Sequence, residues 1–399
     1  MLDRSEFPTL ENNPNLAYFD SAATAQTHQS VLEAMHEYYH QYRASPGRSM
    51  HSLGDKVTQQ VDDARQRVAS LINVSHNQIL FTSGTTQGLN WIAEWNKDAP
   101  SVIVTEAEHH ANIIPWVQQG RSKKDGTLKV IPVQDNGLVD LQEAAKIIAN
   151  APKDSLVSVV ATSNVTGIEQ PWKMLAEIAH QNNCTVAVDF CQTVAHAKID
   201  LTETKVDWAV FSAHKMYGPT GVGALYTSKD VNDLDPIVFG GGAVESVTFD
   251  QVSFISGPER HEPGTPNVAS IIGFGAAAKL LVDIGFDEVQ QREQQVISDL
   301  IDQGLLELEG LKLVVDKDEY LKHHTSILTF VPVGFHSSDI AMLLSHTDVA
   351  LRTGKLCAHP YVDKLSKVGV IRVSISPYNT TQDCETLVSS LKKVISFLA

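Results

Sequence analysis

Cysteine is scarce in this chain of 399 residues: Cys184, Cys191, Cys357 and Cys384 are too few and too scattered for a disulfide framework or a CxxC zinc site. Any cysteine that matters here is expected to act as a thiol. Positive charge is also in short supply, with 31 Lys and Arg against 47 Asp and Glu and a formal net charge of −16. A phosphate backbone or an anionic membrane rewards clustered cations, so neither a nucleic acid nor a membrane is an expected partner. No apolar run approaches the roughly 18 residues of a membrane-spanning helix. The opening MLDRSEFPTLENN lacks the apolar core of a signal peptide, which makes the cytoplasm the expected compartment.

Hydrophobic residues, by contrast, make up 43% of the chain, enough for more than one core at this length. Apolar spacing of three and four predicts helices over 29–43 and 54–72. From Ile79 the pattern changes to short apolar runs, ILFT, SVIVT, LKVIPV, LVSVVAT, TVAVDF, WAVFS and VGALY, separated by helical stretches. Such alternation predicts an α/β fold with a mainly parallel sheet covered on both faces, and ligands gather beyond the carboxyl ends of such strands. A Gly-rich region over 239–267 reads as functional loop, and a long helical stretch is expected from about Ser270. The strands SILTFVPV and VIRVSIS then suggest a smaller α+β unit. The expected division is a large domain over 18–277 and a small one made of 1–17 and 278–399, the latter carrying the loop of Cys357.

Three junctions at strand ends carry possible chemistry. In FTSGTTQGLN a strand runs into a helix start at Thr85 and Thr86, where free N–H groups and hydroxyls suit a phosphate; a plain Thr N-cap would look the same. In TVAVDFCQ the strand ends on Asp189, a carboxylate able to keep the pyridinium nitrogen of pyridoxal 5′-phosphate (PLP) protonated or merely to cap the next segment. Gln192 follows within reach of the ring hydroxyl. In WAVFSAHKMYGPTGVG a strand delivers Ser212, His214 and Lys215 into a loop, where the lysine could form a Schiff base and its neighbours bind phosphate. A surface lysine would also fit. The adjacent His109 and His110 could suggest a metal pair, but no third ligand is evident and no metal is expected.

Gly84-Thr85-Thr86, Glu108-His109-His110-Ala111-Asn112, Ser163-Asn164, Asp189 with Gln192, and Ser212-Ala213-His214-Lys215, in this order, resemble the fold-type I, class V aminotransferase superfamily of PLP enzymes. The resemblance runs from Tyr18-Phe19-Asp20-Ser21-Ala22-Ala23 to Arg372-Val373-Ser374 and is nearest to the Suf/Csd-type (group II) cysteine desulfurases and selenocysteine lyases. It implies that Lys215 tethers PLP and shuttles protons, that His109 stacks on the ring, that Asp189 pairs with the ring nitrogen and Gln192 with its oxygen, and that Thr86, Ser212 and His214 hold the phosphate. It further implies a homodimer in which Thr265 of the partner subunit reaches the phosphate.

In LRTGKLCAHP, Cys357 matches the family cysteine that removes the substrate's sulfur as a persulfide, and Arg352 and Lys355 are expected to favour its thiolate. Lys355-Leu356 stands where His-His or Gln-His is common. Arg372 matches the family's carboxylate-binding arginine, with Asn164 as a second substrate contact and Arg352 also expected to bind substrate. The function so implied is conversion of L-cysteine to L-alanine, with sulfur passed to an acceptor protein in iron–sulfur cluster assembly. Selenocysteine lyase, kynureninase-type cleavage, transamination and a weakly active sulfur-trafficking scaffold are the alternatives.

Overall fold

The computed structural model describes residues 2–47, 50–323 and 326–398. The apolar runs form a seven-stranded sheet of β1 (Ile79–Thr82), β2 (Val102–Thr105), β3 (Leu128–Ile131), β4 (Leu156–Val160), β5 (Thr185–Asp189), β6 (Trp208–Ser212) and β7 (Gly223–Thr227). Their spatial order is β1-β7-β6-β5-β4-β2-β3. All neighbours are parallel except at β7, which runs antiparallel to both β1 and β6. Strands β1, β2, β4, β6 and β7 are buried at every position, because helices cover both faces of a parallel sheet; hence their unbroken apolar reading.

Helices α1 (Gln29–Gln41) and α2 (Ser52–Ser70) begin within two residues of their expected starts. Each is capped by a histidine, His28 accepting from the Ser30 N–H and His51 from the Gly54 N–H. Next comes α3 (Thr85–Trp95), directly after β1. The long stretch expected from Ser270 is two helices, α4 (Val268–Ile284) and α5 (Phe286–Asp302), bent by 81° at Gly285. Gly285 has φ 84°, a left-handed conformation that ends α4 and that a side chain would disfavour. Among the described residues no single helix is long and apolar enough to cross a membrane.

A second sheet has the order β8-β9-β11-β10, from β8 (Leu311–Leu313), β9 (Ile327–Pro332), β10 (Arg352–Gly354) and β11 (Val370–Ser374), antiparallel throughout. It packs with α5 and α6 (Thr381–Leu398) around its own apolar cluster, including Val296, Leu328, Ile371 and Leu391. The chain's beginning joins this unit: Ala17–Tyr18 pairs in parallel with Val349–Ala350 as a separate two-stranded sheet, and Arg4 bonds Asp383 at 2.9 Å. Two expectations need correction. The region 239–267 contains a short exposed hairpin, Val244–Val247 with Val252–Phe254, and Arg352–Gly354 is an edge strand where a loop was expected. Both are too short to show a period in sequence.

Candidate active site

β5 and β6 are parallel neighbours with Asp189 opposite Val210, so Asp189 and Ser212 emerge at the same edge of the sheet. β1, also parallel to β6 across β7, brings the start of α3 to that edge. There the Thr85 N–H donates to Ser212 Oγ at 2.8 Å, and the Thr85 and Ser212 hydroxyls lie 2.9 Å apart. This closeness depends on glycine: a Cβ on Gly223 would stand 2.7 Å from both the Gly84 Cα and the Phe211 carbonyl oxygen. The outcome is a helix start with N–H groups and hydroxyls facing one cavity, an anion cradle in form.

Asp189 is buried and accepts from the Cys191 N–H at 2.9 Å. Burial raises the pKa of its carboxyl and the Lys215 charge opposes that rise. Lys215 follows Ser212 through a single turn, Ala213–Lys215. Burial, aided by Lys215, lowers the pKa of both His109 and His214 to about 4. His109 Nδ1 accepts from the Ala111 N–H at 3.1 Å, so the neutral ring carries its proton on Nε2. The preceding Glu108 anchors this segment: it accepts from the Thr105 hydroxyl, the Asn112 side chain and the Val160 N–H, and burial pushes its carboxyl up to about 7. Gln192 donates from Nε2 to the Ala22 carbonyl at 2.8 Å.

On the opposite wall, register places Arg352 of β10 directly across from Arg372 of β11. Like charges so placed repel unless something lies between them. Asp20 does: its Oδ2 accepts from Arg352 at 2.7 Å and its Oδ1 from Arg372 at 3.2 Å. Arg372 also donates to the Asn164 carbonyl at 3.0 Å; burial lowers its pKa while Asp20 opposes that effect. Arg372 Nε and Asn164 Oδ1 are buried without hydrogen-bond partners among the described residues, so this wall holds polar capacity that these residues leave unused.

Cys357 is exposed, and it follows Leu356 with both residues left-handed, at φ 52° and 50°. Arg352 and Arg372 both interact electrostatically with Cys357. Lys355 does not take the expected place beside the thiol, because its ammonium is held by Asp363 at 2.6 Å and the carbonyls of Ser366 and Lys367 at 3.0 and 3.3 Å. It anchors the loop to the end of the following helix instead.

One cavity of about 320 Å³ is lined by Thr85, Thr86, His109, Asn164, Asp189, Gln192, Ser212, His214, Lys215, Arg352, Cys357 and Arg372. Thr265 stands apart, lining a different cavity of about 780 Å³ with Thr58, Arg65 and Glu262. Sequence reasoning did not single out Asp20 as a site residue, although it lies within the FDSAA stretch, and only the register of two distant strands reveals its place. Cys191 also lines the cavity; burial pushes its thiol up to about 12, so it stays protonated.

The sequence profile of the family described as Aminotransferase class-V matches residues 17–387. The chain belongs to that family. Within the class-V aminotransferases it is of the cysteine desulfurase type: a probable cysteine desulfurase of Halalkalibacterium halodurans is 35% identical over 97% of this chain and 96% of its own. Two solved structures are similar along nearly the whole chain. The apo cysteine desulfurase of Thermococcus onnurineus NA1 is 31% identical with a TM-score of 0.89, covering 99% of this chain and 97% of that one. The Escherichia coli cysteine desulfurase CsdA, in its S-sulfonic acid form, is also 31% identical, with a TM-score of 0.87 over 99% and 98% of the two chains. Class-V aminotransferases and cysteine desulfurases depend on PLP, which makes this protein's family a family of PLP enzymes.

Proposed function

We propose that this enzyme converts L-cysteine to L-alanine, receives the sulfur as a persulfide on Cys357 and passes it to an acceptor protein. The observation that carries this reading is the convergence of Lys215, Asp189, Arg372 and Cys357 on one cavity.

The residues present fit PLP. An amine at Lys215, a buried carboxylate at Asp189, a neutral imidazole at His109 and an anion cradle at Thr85, Thr86, Ser212 and His214 match the tether, ring nitrogen, ring face and phosphate in turn. Gln192 has a second amide hydrogen for the ring oxygen beyond its bond to Ala22. The bound cofactor supplies an electron sink for the substrate carbons.

Arg372 and Asn164 orient the substrate by its carboxylate, with Arg352 at the rim and Asp20 fixing both guanidinium groups. Lys215 holds and moves the proton at Cα, and His109, neutral at physiological pH, keeps its Nε2–H over the same volume. The Cys357 thiolate forms the new S–S bond to the substrate sulfur as the C–S bond breaks. Thiol and cysteine thus give persulfide and alanine, with atoms and electrons in balance and no outside oxidant.

The proposal extends to a homodimer whose sites include Thr265 of the partner subunit, to a cytoplasmic role in iron–sulfur cluster assembly, and to the division into units of 18–277 and of 1–17 with 278–399. It is tested by giving purified protein L-cysteine and measuring alanine and protein-bound sulfur together. Equal amounts are expected in the first turnover, and Cys357→Ser is expected to lower alanine formation by orders of magnitude while retaining the cofactor. A Ser variant as active as the wild type refutes the sulfur-transfer step.

A further inference from the structure

The strained pair Leu356-Cys357 carries the reactive sulfur, and left-handed backbone at residues with a Cβ persists only where its surroundings hold it. The holders are identifiable. Asn164 donates to the Leu356 carbonyl at 2.7 Å. His110 holds Cys357 and His359: its backbone N–H donates to the Cys357 carbonyl at 2.7 Å, and its ring Nε2 accepts from the His359 N–H at 3.0 Å. The His110 and His359 rings meet edge to face with centroids 4.7 Å apart.

We propose that His110 is a positioning residue for the sulfur-transfer step, gripping the chain on both sides of Ala358 and so fixing where Cys357 stands over the cavity. This rests on the reading of Cys357 as the nucleophile. The chemistry of the grip is specific. His359 opens the helix His359–Leu365, so its N–H has no partner within that helix and requires an outside acceptor. The His110 lone pair at Nε2 is that acceptor, which puts the ring proton on Nδ1, the opposite tautomer to His109. Adjacent histidines therefore divide the work: His109 turns inward to the cavity, and His110 turns to the loop. Glu108, anchored in turn by three donors, gives the pair a rigid base.

The test compares His110→Ala with His110→Gln, whose side-chain oxygen reaches close to the position of Nε2 and also accepts. Three readouts are taken on the cofactor-loaded protein: kcat and KM for alanine formation from L-cysteine, hydrogen–deuterium exchange of the peptide spanning 355–362, and the cofactor's absorption band. Misplacing a reacting group by about 1 Å costs on the order of 10²-fold in rate, so the Ala variant is expected to lose ~10- to 100-fold in kcat. KM should stay within about twofold because Arg372 and Asn164 are untouched, and the absorption band should not move. Exchange in the loop should accelerate, and Gln should restore slow exchange and most of kcat. Wild-type kcat and exchange in His110→Ala, faster exchange without loss of kcat, or a Gln variant as impaired as Ala would each overturn the proposal. Should the Ala variant prove too unstable to purify, the Gln variant alone must keep both slow exchange and most of the wild-type kcat, and loss of either counts against it. Failure of the underlying reading is visible separately, in a Cys357→Ser variant that still makes alanine at the wild-type rate.

Discussion

Lys215 lies in the cavity with Asp189, His109 and His214 around it. Borohydride reduction is expected to fix the cofactor to the Lys215 peptide, and mass mapping of the adduct to another lysine would remove that residue from its role. The two histidines bring a pH dependence of stability. Burial lowers both to about 4, whereas an unfolded histidine titrates near 6.5. Their folded pKa values are depressed, so the unfolded chain takes up protons first as pH falls, and stability present above about 6.5 is lost progressively down to about 4. Each full proton is worth about 1.4 kcal/mol per pH unit, and the partial exposure of both rings makes the real slope smaller. Urea midpoints at pH 7 and pH 5 check this: His109→Gln should lose less between the two than the wild type, and equal losses would show that the ring is not held neutral.

The elements that build the site are joined by close approaches, the tightest at Gly223. A Cβ there meets the Gly84 Cα and the Phe211 oxygen at 2.7 Å, backbone atoms that cannot swing aside. Gly223→Ala is expected to cost roughly 1–3 kcal/mol as overpacking and to push the start of α3 off the edge of β6, so the protein should release its cofactor more readily on gel filtration. Gly241→Ala, with no atom within 4 Å of the added methyl, is the control and should behave as wild type. Much of this level was legible in sequence. All seven strands of the large sheet appeared as apolar runs, five of them because burial at every position leaves no ambiguity of period. What was illegible had a common cause, the short edge strand. Arg352–Gly354 has three residues, one of them glycine, and its pairing with β11 decides where two arginines and Asp20 meet. Lys355 was misjudged for a related reason: sequence gives nearness along the chain, but not which way a long side chain turns.

At the scale of the molecule, the cavity that holds Thr265 is separate from the one that holds Lys215. If the family's shared site applies, the purified protein sediments as a dimer, and Thr265→Ala lowers cofactor retention without altering the fold. A monomer with full cofactor affinity would refute the shared site. The net charge of −16 accords with this picture, since it disfavours polyanion binding and leaves small amino-acid substrates to a locally cationic wall.

That wall has a consequence in time. Asp20 is separated from Arg372 by 352 positions and from Arg352 by 332, yet its carboxylate bridges both. At synthesis rates of about 5–20 residues per second, Asp20 leaves the ribosome on the order of 20–70 s before its partner Arg372 does. The sheet that carries Lys215 and Asp189 is complete at Thr227, long before then. On the reading proposed above, a nascent chain therefore holds the strands of the cofactor edge before it has Arg372 to grip a substrate carboxylate or Cys357 to receive sulfur. The proposed persulfide chemistry at Cys357 is thereby deferred, by the order of the chain, until the molecule is nearly finished.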